Sequence, residues 1–212
     1  MFEEILKATW ETGYMVFLST FFALIVGFII AIALTLTAKD GLKPNKGIYS
    51  VLDFIVNILR SFPFVILMVA VFPLSRIIVG TTVGKEAMIV PLTIAIAPFI
   101  ARIIESALRE VDKGVVEAAK SFGASDSQII FKVMLKEAVP TIVSGLTLTI
   151  ISVIGYSAMA GAIGAGGLGD VAIRYGYHRY QTDYMVVTVI LLIIIVQGLQ
   201  SLGNYFYKKL SK

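Results

Sequence analysis

Three stretches of this 212-residue chain carry no Asp, Glu, Lys or Arg: residues 12–38, 138–169 and 184–207, which are 27, 32 and 24 residues long. A helix needs roughly 20 apolar residues to cross a hydrocarbon core, so each can span a membrane. Two shorter uncharged runs, 61–75 and 87–101, are bracketed by Arg60 and Arg76 and by Glu86 and Arg102. Beside the long runs they read as spans with charged ends. The chain is 58% hydrophobic and 15% charged, whereas soluble domains carry about a quarter charged residues. The reading is an all-α integral membrane protein, a single domain over 1–212. Its five spans lie near 14–38, 58–79, 86–108, 139–162 and 183–206.

The first run is not read as a cleaved leader. Its n-region is acidic (Glu3, Glu4, Glu11), and the run exceeds an h-region of about 7–15 residues. With no cysteine, neither a disulfide framework nor a thiolate metal site is possible. A lone histidine, His178, excludes a histidine-rich metal site, and no cofactor is expected in this chain.

Five spans place the termini on opposite sides. Lys39, Lys43, Lys46, Arg109, Lys113, Lys120, Lys132, Lys136, Lys208, Lys209 and Lys212 fall on one side; Lys7, Arg76, Lys85, Arg174 and Arg179 fall on the other. Eleven against five puts the N-terminus outside and the C-terminus in the cytoplasm. The net charge of +4 thus reflects topology. The basic residues are spread over three segments rather than gathered in one patch, so no nucleic-acid partner is expected.

Two glycine motifs imitate nucleotide sites. Gly164-Ala165-Gly166-Gly167-Leu168-Gly169 fits G-x-G-x-x-G, with Asp183 nineteen residues on. That motif works between a strand and a helix, but here a 25-residue uncharged segment precedes it, far beyond a typical strand of about 5–6 residues. The glycines instead mark a tight break at the outer end of the fourth span. Gly80-Thr81-Thr82-Val83-Gly84-Lys85-Glu86 approaches a phosphate-binding loop. Its glycines are one residue too close, and Glu86 stands where a magnesium-binding hydroxyl belongs.

The polar stretch 110–138 has helical pattern. Asp112 can cap a helix running to Phe122, with Val115, Val116, Ala118, Ala119 and Phe122 on one apolar face. Gly123 stands where a C-cap needs a left-handed residue. Ser125 and Gln128 form a capping box for a second helix striped by Ile129, Ile130, Val133 and Met134. Pro140 is expected at the entry to the fourth span. A surface hairpin packed on its own membrane helices and a docking element for a soluble partner both fit this pattern.

The segment from Glu117-Ala118-Ala119 through Gly123 to Val133, Leu135, Glu137, Ala138 and Pro140 resembles the EAA loop of binding-protein-dependent ABC importer permeases. Lys136 departs from it, standing where the family usually has proline. "NILRSFPFVILMV", "APFIAR" and "GYSAMAGAIGAGGLGDVAIRYGYHRY" resemble the permease subunit of methionine importers, and the similarity runs from about Trp10 to Gly203. The resemblance implies a multi-pass protein of the bacterial inner membrane, dimeric with itself. It also implies two cytoplasmic ATPase subunits carrying ATP and magnesium, and an extracytoplasmic methionine-binding protein. It makes Glu117, Ala118, Ala119, Gly123, Ala124 and Ser125 the ATPase-coupling residues, and no catalytic residue is expected. Near the outer leaflet, small residues around Met159 suggest a seam between two copies. Tyr156, Ser157, Met159 and Ala160 are the candidate gate. Arg174, Tyr177, Arg179 and Tyr180 are candidates for docking the binding protein, with an aromatic belt at the membrane surface as the alternative. An ion-coupled carrier, a structural membrane subunit and a permease for another small amino acid are the competing readings. The carrier would need ionisable groups deep in the membrane; Arg60, Arg102 and Glu105 are the candidates, and they are expected to snorkel or pair near the cytoplasmic interface.

Overall fold

The computed structural model describes Met1–Ser211, and every described element is helical. Lys212, counted above in the basic C-terminal tail, lies outside the described residues. Four helices are long and apolar enough to cross a membrane: α1 (Phe2–Thr37), α4 (Lys85–Arg109), the continuous helix Asp126–Gly161, and α9 (Thr182–Leu210). A fifth span is made only if a bent pair is taken together: α2 (Lys46–Ser61) and α3 (Phe64–Val79) meet at 111°. Proline cannot continue α2, and the residue before it is driven out of helical geometry. Phe62 accordingly takes φ −71°, ψ 132° ahead of Pro63. The span expected over 58–79 is thus divided at Phe62, with its first residues belonging to α2.

At 36 residues α1 is about 54 Å long, well beyond a core of about 30 Å. Its acidic first turns precede the uncharged run and carry polar contacts described below. The bundle centres on α4. Met88, Leu92, Ile96, Ile100, Ile104 and Leu108 recur every four residues along one ridge, and all are buried. Ridges of that spacing seat in the groove of a neighbour, here chiefly α1. The approach is close because Gly27 faces α4: a Cβ there would lie 2.8 Å from the Ala97 carbonyl. Small residues at helix contacts are how membrane helices bring backbones together.

Two expectations are corrected. Pro140 does not begin the fourth span. The second helix of the polar hairpin and that span form one helix, Asp126–Gly161. It comprises α6 (Asp126–Gln128), a π-turn at Ile129–Met134, and α7 (Leu135–Gly161), with Pro140 inside α7. A proline ring deprives only the carbonyl four residues back of its donor. Here that residue is Lys136, which is exposed. The short helix α5 (Lys113–Ser121) also buries less than its pattern suggests. Val116 and Ala119 pack on the core, whereas Val115 is 43% and Phe122 91% exposed. Phe122 is the C-cap, past the last helical turn, so the stripe cannot carry it inward.

Candidate functional site

On the side bearing the basic loops, α5 and α6 form the hairpin. The Asp112 carboxylate accepts from the Gly114 N–H at 2.6 Å, capping α5. At its far end the Gly123 N–H donates to the Lys120 carbonyl and the Ala124 N–H to the Ala119 carbonyl, at 2.9 and 3.1 Å. This is the Schellman pair, which needs a left-handed residue after the cap, and Gly123 has φ 78°. The Ser125–Gln128 capping box is complete. Ile129, Ile130 and Met134 bury the root of the second helix.

The loop between α1 and α2 staples this hairpin down. Asp40 accepts from Arg109 at 3.0 Å and lies 3.8 Å from the Lys113 Nζ, while Lys43 pairs with Asp126 at 3.4 Å. These exposed pairs are individually weak, but together they hold the hairpin against the bundle from both ends. Of the candidate coupling residues, Glu117, Ala118, Gly123 and Ser125 are exposed, and Ala119 and Ala124 are half-buried. Glu117 and Lys120 edge a cleft of about 270 Å³ bounded by Asp40, Leu42 and Arg109. The result is a rigid, capped projection with small side chains and the bare ring of Phe122 at its tip.

Of the three charged candidates, Arg102 and Glu105 pair as expected, whereas Arg60 does not among the described residues and instead shares a cleft with Tyr156 and Met159. Arg102 donates to Asp53 at 2.6 Å, to Glu105 at 2.8 Å and to Asn57 at 3.1 Å. Glu105 is buried and also accepts from Tyr49. Arg60 instead lies over the Phe99 ring, 5.1 Å from its centroid.

At the opposite end, the chain turns back after α7. The glycines of 164–169 make α8 (Gly167–Val171) re-entrant against α7 and α1. A Cβ on Gly169 would strike the Ala158 backbone, and one on Gly161 the Asp170 N–H. Two α1 side chains cap α8: Gly167 N–H donates to Glu11 at 3.0 Å and Leu168 N–H to the Thr12 hydroxyl at 2.9 Å. A carboxylate at a helix N-terminus satisfies donors that have no intrahelical partner. A second bracket holds the π-turn Ala172–Tyr177, where Tyr175 and Tyr184 stack at 4.6 Å. Both donate to Glu4, at 2.6 and 2.7 Å. These hydroxyls, Tyr175's first, hold the Glu4 carboxyl below its usual range, and the same bond pushes the Tyr175 phenol up.

The four candidate gate residues divide between two faces. Ser157 and Ala160 are buried in the chain's own core, with the Ser157 hydroxyl bonded to the Ile154 carbonyl. Met159 is 51% exposed, and Tyr156 stacks on Phe64 at 4.5 Å. Met159 and Tyr156 share a cleft with Phe62, Arg60 and Phe99. The small residues of this stretch thus serve contacts within the chain. The four candidate docking residues lie together. Arg174 pairs with Asp170 at 2.8 Å, and Arg174 and Arg179 both lie over the Tyr175 ring. Tyr177 and Tyr180 are 65% and 88% exposed. Tyr180 alone among the described non-glycine residues has positive φ, 54°; such a backbone costs of order 1–3 kcal/mol and is kept where surroundings enforce it.

Sequence reasoning missed Glu4, Glu11 and Thr12 as struts, Asp40 as the hairpin's anchor and Phe122 as its exposed tip. The available signal was the acid-rich flank of the first apolar run, which looks like ordinary solvated charge.

Residues 23–212 match the family model described as binding-protein-dependent transport system inner membrane component. The probable D-methionine transport system permease protein MetI of Vibrio cholerae is 51% identical over 205 residues, 97% of this chain and 91% of the relative. The methionine import system permease protein MetP of Bacillus subtilis is 46% identical over 201 residues, covering 95% and 90%. Among solved structures, a chain from inward-facing conformations of the MetNI methionine ABC transporter superposes with a TM-score of 0.97 at 42% identity, covering 100% of this chain and 98% of that one. An amino acid ABC transporter solved with histidines is similar in fold, with a TM-score of 0.81 at 19% identity.

Proposed function

The chain belongs to the family of binding-protein-dependent transport system inner membrane components, and from that premise we propose that it is the permease subunit of an ATP-driven methionine importer. The observation that carries this reading is similarity over almost the whole chain to permeases named for methionine, at 51% and 46% identity. Two copies form the translocation unit in the bacterial inner membrane, since five spans are few to enclose a path and closed two-fold dimers are the commonest assembly. Two ATPase subunits supply ATP, magnesium and hydrolysis, and an extracytoplasmic methionine-binding protein delivers the substrate. The chain itself performs no chemistry.

The hairpin of α5 and α6 is the coupling element. Its caps keep the shape of Glu117-Ala118-Ala119 and Gly123-Ala124-Ser125 fixed, so a displacement of the ATPase is transmitted rather than absorbed. An exposed Phe122 on a water-facing tip finds its natural place in a partner's groove. Met159 and Tyr156 close the path toward the outer leaflet, with Ser157 and Ala160 as the packed wall behind them. Arg174, Tyr177, Arg179 and Tyr180 receive the binding protein.

The test is reconstitution with the ATPase and the methionine-binding protein in proteoliposomes. Uptake of radiolabelled methionine should require ATP inside and both partners. Uptake without the ATPase, or ATP turnover by the isolated permease, would sink the reading.

A further inference from the structure

Two clefts meet at the break between α2 and α3. One, of about 660 Å³, is lined by Tyr49, Ser50, Asp53, Asn57 and Ser61 among others; the other, of about 320 Å³, holds Arg60, Phe99, Tyr156 and Met159. Both include Phe62 and Pro63, so one depression runs from the polar stripe of α2 to the proposed gate. Ser50, Asp53, Asn57 and Ser61 lie on one helix face, spaced three or four residues apart. Asp53 and Asn57 on this face are bonded to Arg102 of α4, and the cleft beside them gives the polar face a watery route rather than a lipid contact.

Arg60 is the unusual group in this depression. It is exposed on the last turn of α2, and among the described residues it makes no ion pair. The nearby carboxylates are taken: Asp53 and Glu105 pair with Arg102, and Glu105 also with Arg109. The aromatic face of Phe99 steadies the guanidinium without neutralising it. An uncompensated cation at a helix break in the membrane is costly and functional by default. Around it Phe62, Phe64, Tyr156 and Met159 form an apolar, aromatic and thioether-bearing wall. The volume lies at the lower end of about 300–1,000 Å³ for small-ligand clefts.

Resting on the function proposed above, we propose that Arg60 anchors the α-carboxylate of the transported amino acid just inside the gate. The guanidinium presents a planar fork that matches a carboxylate. The substrate's apolar side chain lies against Phe64, Tyr156 and Met159, where sulfur–aromatic contacts favour a thioether. The stripe from Ser61 to Ser50 is the wall along which the released zwitterion leaves.

The chain has no cysteine, so R60C introduces a single thiol per protomer. In proteoliposomes with the ATPase and binding protein, R60C should lose methionine uptake by about tenfold, the equivalent of one charge-assisted contact, while binding-protein-stimulated ATP hydrolysis persists. Treatment with 2-aminoethyl methanethiosulfonate, which restores a positive charge, should recover uptake; the 2-sulfonatoethyl reagent should not. The anionic reagent added from the cytoplasmic side should react in the nucleotide-free complex and be blocked after vanadate trapping. Full uptake by R60C, equal effects of the two reagents, or no reaction from the cytoplasm overturns the proposal. R60Q, which removes the charge with little change in size, is the second variant: lost uptake with retained hydrolysis supports the anchor, and full uptake refutes it. Failure of the unsubstituted complex to accumulate methionine would refute the parent function instead, so the two failures are distinguishable.

Discussion

Replacing Gly123 separates backbone conformation from interface fit in the proposed coupling hairpin. Gly123 has φ 78°, and a Cβ built there meets nothing within 4 Å. Any cost within this chain is therefore backbone strain, with no clash to add. A left-handed residue bearing a side chain costs about 1–2 kcal/mol, and a β-branched one about 1–3 kcal/mol or the upper part of that range. Asparagine tolerates this region better than alanine does. Since about 1.4 kcal/mol is a factor of ten in an equilibrium constant, valine should lower the equilibrium constant for the correctly turned hairpin roughly 5- to 150-fold relative to glycine. The two bonds at stake are those from Gly123 and Ala124 to Lys120 and Ala119; losing them frees the end of a nine-residue helix that has little stability of its own.

The assay is co-purification of the ATPase with tagged permease, read beside methionine uptake in proteoliposomes. Strain predicts the order Gly, Asn, Ala, Val in both readouts, with all four variants present in the membrane at similar levels. Interface crowding predicts a different order, Gly, Ala, then Asn and Val, because asparagine is larger than alanine. Alanine outperforming asparagine would refute the backbone argument, and wild-type behaviour of Gly123→Val would refute the hairpin's role altogether.

Four further outcomes are expected. Glu117→Lys, at an exposed site beside Lys120 on the cleft edge, should leave the permease in the membrane but reduce ATPase co-purification and uptake at least several-fold. Met159→Cys should crosslink across the dimer in at least one nucleotide state; no crosslink in any state places the gate elsewhere. Gly169→Ala should fail at an earlier stage, because its Cβ would strike the Ala158 backbone; the measurement is membrane yield, and normal yield would show that the re-entrant segment can shift. The bracket at Glu4 should loosen only in acid. Its carboxyl is held below the ordinary range, so its contribution is complete above about pH 4.3 and lost as pH falls through the lowered value. Hydrogen exchange at Ala172–Tyr177 that accelerates between pH 7 and 5 would contradict this.

Features written in local sequence were legible. The spans follow from charge-free length and the hairpin caps from Asp112, Gly123, Ser125 and Gln128, while Pro63 divides the span expected over 58–79. Each depends on residues a few positions apart, where the chemistry of a cap or a proline acts directly. Contacts between distant segments were not legible. Glu4 and Glu11 are ordinary acids until the fold brings them to Tyr175, Tyr184 and Gly167, more than 150 residues away in sequence.

The gate illustrates the same boundary within a single stretch. Small size at Ser157, Ala158, Ala160 and Gly161 suggests a seam between two copies, because small residues permit close approach. Small size does not say which partner approaches. In the fold Gly161 meets Gly169 and Asp170 of its own chain, and Ser157 and Ala160 face its own core. That packing leaves Met159 outward: with positions 157, 160 and 161 turned to the core, helical geometry turns position 159 the other way. The outward methionine is thus a consequence of the re-entrant glycine segment. Disturbing Gly161 or Gly169 should therefore displace Met159, the proposed gate residue, even though neither glycine lines its cleft.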